Sequence, residues 1–308
     1  MAGGGAAAAG PAVIDAYASL SHYADHLGPI FDALPTDMRG EWRRHGTGPV
    51  MVAGYKDLVG IGKRPVIFVE HGAGQTYGMG HPSYPGGRGR ENVALFICPS
   101  ERVAQANAQR YPKAKTAVVG CPRIDPWLPG TKPGTGVVGV TWHWNALVCP
   151  ESRSALAHYV ASLGELAKHY DLLGHAHPRV ARAAAKVYAD AGIDYTDDPD
   201  VLFRLADVLV CDNSSLGWEF LATDRPVVWA NAPWYRREVH HGLRFWDEVD
   251  IQVDEPEQLP DAIAEAVADS PEHQERRRAT ADRIYAYRDG RSAGRAAAAI
   301  IETLGGQQ

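Results

Sequence analysis

The sequence is poor in cysteine: Cys98, Cys121, Cys149 and Cys211 are the only four in 308 residues, and they are scattered. They lack the spacing of a metal-ligand set, and three lie in or beside apolar strand-like runs, so they read as buried thiols in a reducing compartment. Excess positive charge is also missing. Thirty-one Lys and Arg against 37 Asp and Glu leave a formal charge of −6, which removes the basic field of a protein that holds nucleic acid through its phosphates. No apolar run approaches the roughly 20 residues that span a bilayer, so any membrane association is expected to be peripheral. Residues 1–10 lack the basic start and large apolar core of a signal peptide and read as a disordered tail. The expected location is the cytoplasm.

What is present is an α/β pattern. At 308 residues and 45% hydrophobic content, the chain can build two domains, each with its own core. Strand-like runs cover residues 12–16, 50–53, 66–69, 94–98 and 116–119, with a helix from Ser100, a natural N-cap, to Tyr111 before Pro112. Residues 126–135 hold three prolines and two glycines, the composition of an extended linker. A second unit follows, with strands at 136–142, 171–175, 193–195, 208–211, 227–229 and 251–253 and helices at 152–170 and 180–191. The expected division is a first domain over 11–125, a linker over 126–135 and a second domain over 136–308.

Ligands of open α/β sheets bind beyond the carboxyl ends of the strands, so the residues there carry the most weight. The strand at 208–211 ends in Asp212, Asn213, Ser214 and Ser215, and a helix begins at once. A helix start presents free N–H groups and a positive dipole end to an anion, and the serines add donors; an ordinary N-cap uses the same residues. The strand at 66–69 runs into Glu70, His71, Gly72 and Gly74. A histidine can accept a proton near neutrality, and the glycines admit a ligand closely, although a lone histidine at a strand end is more often just hydrogen-bonded. His175, His177 and Arg179 follow a third strand without the additional ligand that would make a metal site. Arg123 can clamp a phosphate or pair with Asp125 and fix the linker; the structural role is favoured. Trp142 and His143 end another strand, where donor contact and core packing both suit a tryptophan. Asp197, Asp198 and Asp200 precede a helix and read as caps rather than metal ligands.

Taken in order, His71-Gly72-Ala73-Gly74, Gly120-Cys121-Pro122-Arg123-Ile124-Asp125, His177-Pro178, Asp212-Asn213-Ser214-Ser215, Arg225-Pro226 and Asp289 to Arg295 resemble the CDP-glycerol glycerophosphotransferase family of teichoic-acid-type polymerases and primases. The resemblance spans roughly residues 60–305. It implies a GT-B fold, two Rossmann-like domains facing across a cleft, with the C-terminal domain holding the nucleotide donor and the last helix packing back on the first. It implies His71 as general base and His177, Asn213, Ser214 and Ser215 at the donor phosphates. Gly72, Gly74, Arg123, Trp142, His143, His175 and Glu219 become candidate donor or acceptor contacts. The partners implied are a nucleotide-diphosphate-linked donor and a hydroxyl acceptor; no metal or other cofactor is expected, because protein donors can stabilise the leaving group.

The departures concern the acceptor. Where the family continues its first histidine motif with threonine, proline and lysine, this chain has a glycine-rich loop whose Tyr77, Tyr84, Arg88 and Arg90 are candidate acceptor contacts. The membrane-targeting sequence of the family's polymerases is missing, which counts against a lipid-linked polymer acceptor. The expected reaction moves glycerol phosphate, or a related polyol phosphate, from a CDP-linked donor to a hydroxyl. Its rivals are a glycosyltransferase using a nucleotide sugar, with a glycan or a hydroxylated DNA base as acceptor, and a non-catalytic nucleotide-binding scaffold.

Overall fold

In a computed structural model, residues 12–73, 81–130, 132–236, 249 and 251–305 are described. The first unit contains β1 (Ile14–Ala16), α1 (Ser21–Ala33), β2 (Arg39–Trp42), β3 (Val50–Val52), β4 (Val66–Val69), β5 (Val93–Cys98), α2 (Glu101–Arg110) and β6 (Lys115–Val118). Its strands form one parallel sheet in the order β2-β1-β3-β4-β5-β6. The central strands are apolar throughout because helices or loops cover both faces: every residue of β3 and β4 is buried. As expected, Ser100 caps α2, its side chain accepting from the Val103 amide. Strand β2 was not anticipated. It lies at the sheet edge, three of its four residues are exposed, and it lacks the apolar pattern by which strands are read.

The second unit contains β7 (Val137–Trp142), α3 (Leu156–Tyr159), α4 (Leu163–Leu166), β8 (Leu172–Ala176), α5 (Ala181–Asp190), β9 (Asp194–Tyr195), α6 (Pro199–Leu205), β10 (Ala206–Cys211), α7 (Ser215–Ala222), β11 (Val227–Ala230), β12 (Ile251–Val253), α8 (Leu259–Ala268) and α9 (Pro271–Ile284). Its parallel sheet has the order β12-β11-β10-β7-β8-β9. The single helix expected over 152–170 is instead broken: 3-10 turns at Pro150–Ser152 and Val160–Ser162 flank the short α3 and precede α4. Ser162 donates its hydroxyl to the Tyr159 carbonyl at 2.8 Å, and Gly164 follows; both weaken a helix interior. Another 3-10 segment, Pro122–Trp127, runs into the start of the proline-rich stretch.

The last helix, α10 (Ser292–Gly305), returns to the first unit, where Ala296, Ala297, Ile300 and Leu304 join Leu27, Ile30 and Phe31 of α1 in one apolar cluster. The backbones come close at this crossing. Gly120 has φ +91, and a Cβ there would lie 2.7 Å from both the Tyr287 carbonyl and the Ser292 hydroxyl, so only glycine fits. Two Rossmann-like sheets facing across a cleft make this a GT-B architecture. Among the described residues, no helix is long and apolar enough to cross a membrane.

Candidate functional site

The cleft encloses a cavity of about 470 Å³ lined by both units, within the usual range for small-molecule sites. Among the described residues, seven histidines line it: His22, His26, His71, His81, His143, His175 and His177. The floor on one side is the start of α7. Ser214 is its N-cap, the side-chain oxygen accepting from the Leu216 amide at 3.3 Å. Capping therefore occupies Ser214 and leaves Ser215, exposed in the first turn, to face the opposite unit. There it meets Gly72, whose φ of +76 turns the chain after β4 and whose added Cβ would lie 3.5 Å from the Ser215 Cβ. The helix start and the glycine turn thus meet at one edge of the slot between the two units.

His71 precedes that glycine. Its ring packs edge-on against Tyr23 at 5.1 Å and lies 5.8 Å from His26. Burial, with the Arg90 charge nearby, lowers its pKa to about 4, so at neutral pH the imidazole is uncharged and able to accept a proton. Across the slot, His177 Nδ1 accepts the Arg179 amide at 3.2 Å. That contact places the ring proton of the neutral form on Nε2, which becomes a donor. His143 is set the other way, because its Nδ1 lies 2.9 Å from the Ser152 carbonyl and must donate to it. His175 Nδ1 meets Thr141 Oγ1 at 2.8 Å. Burial lowers His175 to about 4 and, with help from His143, His22 and Arg179, His177 to about 2. The cavity is consequently lined by neutral imidazoles together with Arg123 and Arg179 and the carboxylates Asp25, Asp197 and Glu219.

Residues 154–302 match the model of the CDP-Glycerol:Poly(glycerophosphate) glycerophosphotransferase family. The match marks the chain as a transferase. Among solved structures it is similar to the wall teichoic acid polymerase TagF in a variant soaked with CDPG, at 13% identity and a TM-score of 0.68 over 96% of this chain and 89% of that one. It is also similar to a putative UDP-N-acetylglucosamine 2-epimerase from Listeria monocytogenes (13%, TM-score 0.62, 97% and 98% covered) and to S. aureus MnaA with UDP (14%, 0.61, 96% and 97%). No curated protein matches by sequence.

Several expected site residues of this transferase have other tasks. Trp142 is fully buried, stacked on Tyr159 in the core behind His143, and is not among the residues that line the cleft cavity. Arg90 is not an acceptor contact either. It is 1% exposed, lies over the Phe68 ring, pairs with buried Glu70 and donates to the Pro82 and Tyr84 carbonyls, so it holds the 81–90 loop from inside. Arg88 is exposed and outside the cavity lining, whereas Tyr84 lines it. Gly74 and Tyr77 lie outside the described residues. Arg123 does pair, but not with Asp125. Its Nε meets Glu219 at 2.9 Å, with Asp25 and Asp200 at 3.5 and 3.7 Å, while Asp125 accepts the Ala293 amide that starts α10. Asn213 lines the cavity and donates its side-chain amide to the Glu151 carbonyl, and buried Asp212 supports the slot by accepting the His143 and Ala155 amides. Asp198 caps α6, accepting the Asp200 amide at 2.8 Å. Among the described residues, no three His, Cys, Asp or Glu side chains gather as a metal cage.

Sequence reasoning missed α1 entirely, and with it His22, Asp25 and His26 at the cavity. The i, i+4 spacing of the two histidines was the available signal, since it places both on one helix face.

Proposed function

We propose that this transferase moves glycerol phosphate from CDP-glycerol to an acceptor hydroxyl. The observation that carries the reading is the slot in which Gly72, one residue after a neutral histidine, faces the first turn of α7. In this reading the diphosphate lies at Ser214 and Ser215, where the helix start favours it, and the acceptor enters beside His71. The acceptor oxygen attacks the glycerol-bearing phosphorus as His71 takes its proton. The bond from that phosphorus to the bridging oxygen breaks, and CMP leaves with the electron pair. The His177 Nε2–H and the α7 amides stabilise the developing charge, so the reading assigns that charge to protein groups rather than to a metal. The family match supports the donor class; Tyr84 and the 81–90 loop bound the acceptor side.

The test is calorimetric titration with CDP-glycerol, CDP-ribitol, UDP-glucose and UDP-N-acetylglucosamine. The reading expects the CDP-polyols to bind more tightly, and a Ser214→Ala/Ser215→Ala double variant to lose at least tenfold in affinity, about 1.4 kcal/mol. Preference for a UDP-sugar would replace glycerol phosphate transfer with glycosyl transfer. Binding without turnover on any acceptor would leave a nucleotide-binding scaffold.

A further inference from the structure

We infer that His22 is a phosphate ligand that reaches across the cleft from the first unit, and that donor binding loads a proton onto it. The inference rests on the donor reading above. His22 sits in the first turn of α1, behind Leu20, which offers no capping side chain. The N-terminal end of α1 therefore opens into the cavity opposite that of α7, and Ser21 and His22 line it. The His22 ring stands edge-on to His177 at 5.3 Å, and His177 stands edge-on to His143 at 5.4 Å. Three imidazoles from both units thus form one arc around the slot.

What separates His22 from the other two is its hydrogen bonding. His177 Nδ1 is tied to the Arg179 amide and His143 Nδ1 to the Ser152 carbonyl, so each presents only one ring nitrogen to a ligand. The Nδ1 of His22 is buried and has no partner. The groups facing His22 are His26 on its own helix, Tyr23 beside it, His71, Arg123, His143, His177 and Arg179. The carboxylates nearby are engaged elsewhere: Glu219 and Asp25 with Arg123, and Asp57 with the Ser19 amide. A cation at His22 therefore lacks a counter-charge until a diphosphate supplies one. Burial and these cationic neighbours lower its pKa to about 4, and an anion in contact reverses the sign of the local field. His22 would then be the proton-bearing clamp opposite the helix start, contributing a charge-assisted hydrogen bond.

The experiment is titration calorimetry of CDP-glycerol, without acceptor, into the full chain at pH 6 in two buffers of different ionisation enthalpy. The diphosphate diester does not titrate near neutrality, so any proton taken up goes to the protein. The wild type is expected to bind with net proton uptake and to lose affinity as pH rises from 6 to 8. His22→Gln is expected to bind about tenfold more weakly and without that uptake, and His22→Asn to behave alike while melting as the wild type does. Equal affinity and equal uptake in wild type and variants would overturn the role of His22 while leaving the donor reading intact. Failure of the wild type to bind CDP-glycerol at all would instead remove the donor reading on which the inference rests.

Discussion

Replacing Arg123 with Met removes the guanidinium that pairs with Glu219, Asp25 and Asp200, a group that joins α1, the 3-10 segment at 122–127, α6 and α7. The side chains of Arg123 and Glu219 are 9% and 4% exposed. At an effective dielectric constant near 20, a pair at this range gains about 4 kcal/mol of gross attraction. Asp25 and Asp200 are 39% and 52% exposed, so solvent screens them and they add little. Methionine matches the arginine stem in bulk, so the cost is mainly that of a stranded buried carboxylate, about 3–5 kcal/mol. Urea denaturation should show that loss. It should also show pH dependence. Burial already raises the Glu219 pKa, and loss of the cation raises it further. Since the folded value exceeds the unfolded one, stability falls as pH rises through it, and the deficit of Arg123→Met relative to the wild type should shrink as pH drops from 8 to 5. The double variant Arg123→Met/Glu219→Gln should recover at least half the loss. A single-variant cost below about 1 kcal/mol, or a double variant no better than the single, would refute a buried tie between the units.

Gly72→Ala places a side chain at φ +76 in contact with Ser215; it should cost about 1 kcal/mol of stability and sharply weaken CDP-glycerol binding, checked by melting and calorimetry. Asp212 has its pKa raised by burial from 3.8 to about 7, so its contribution to stability is complete below about pH 4 and is lost as pH rises through 7. Buried neutral histidines such as His71, His175 and His177 gain stability over the same range, so the readout is the difference in denaturation midpoint between wild type and Asp212→Asn, which should shrink as pH rises across that window. His71→Ala should lower turnover by about 10²- to 10⁴-fold, the usual worth of a general base, with donor affinity nearly unchanged by calorimetry.

The parts of this molecule that could be read in its sequence are those whose signal is local. Apolar runs such as Val66–Val69 and Ala206–Cys211 announce buried parallel strands because both faces are covered, and the residues directly after them sit at the cleft for topological reasons. His71, His177 and Ser215 were legible on those grounds. Arg90 was not. Its exposed-looking glycine-rich neighbourhood gave no hint that Glu70, Asn107 and Phe68 would enclose it, since those partners are brought together only by packing α2 on β4 and β5. Arg123 misled for the same reason: Asp125 is near in sequence, whereas Glu219 lies 96 residues away. His22 and His26 were hidden because α1 carries an interior Pro29 and a mixed polar face, and only the opposing unit gives those histidines a shared cavity.

The central claim is that the donor's diphosphate lies against the start of α7 in the cleft, with its glycerol-bearing phosphorus turned toward residue 71. Diffraction from crystals of His71→Asn soaked with CDP-glycerol tests it most directly, because the variant should hold the donor without consuming it. The account predicts density for the diphosphate at Ser214, Ser215 and His177 with the glycerol on the His71 side of the slot. Density for CDP-glycerol elsewhere, or with its phosphates turned away from α7, would contradict it.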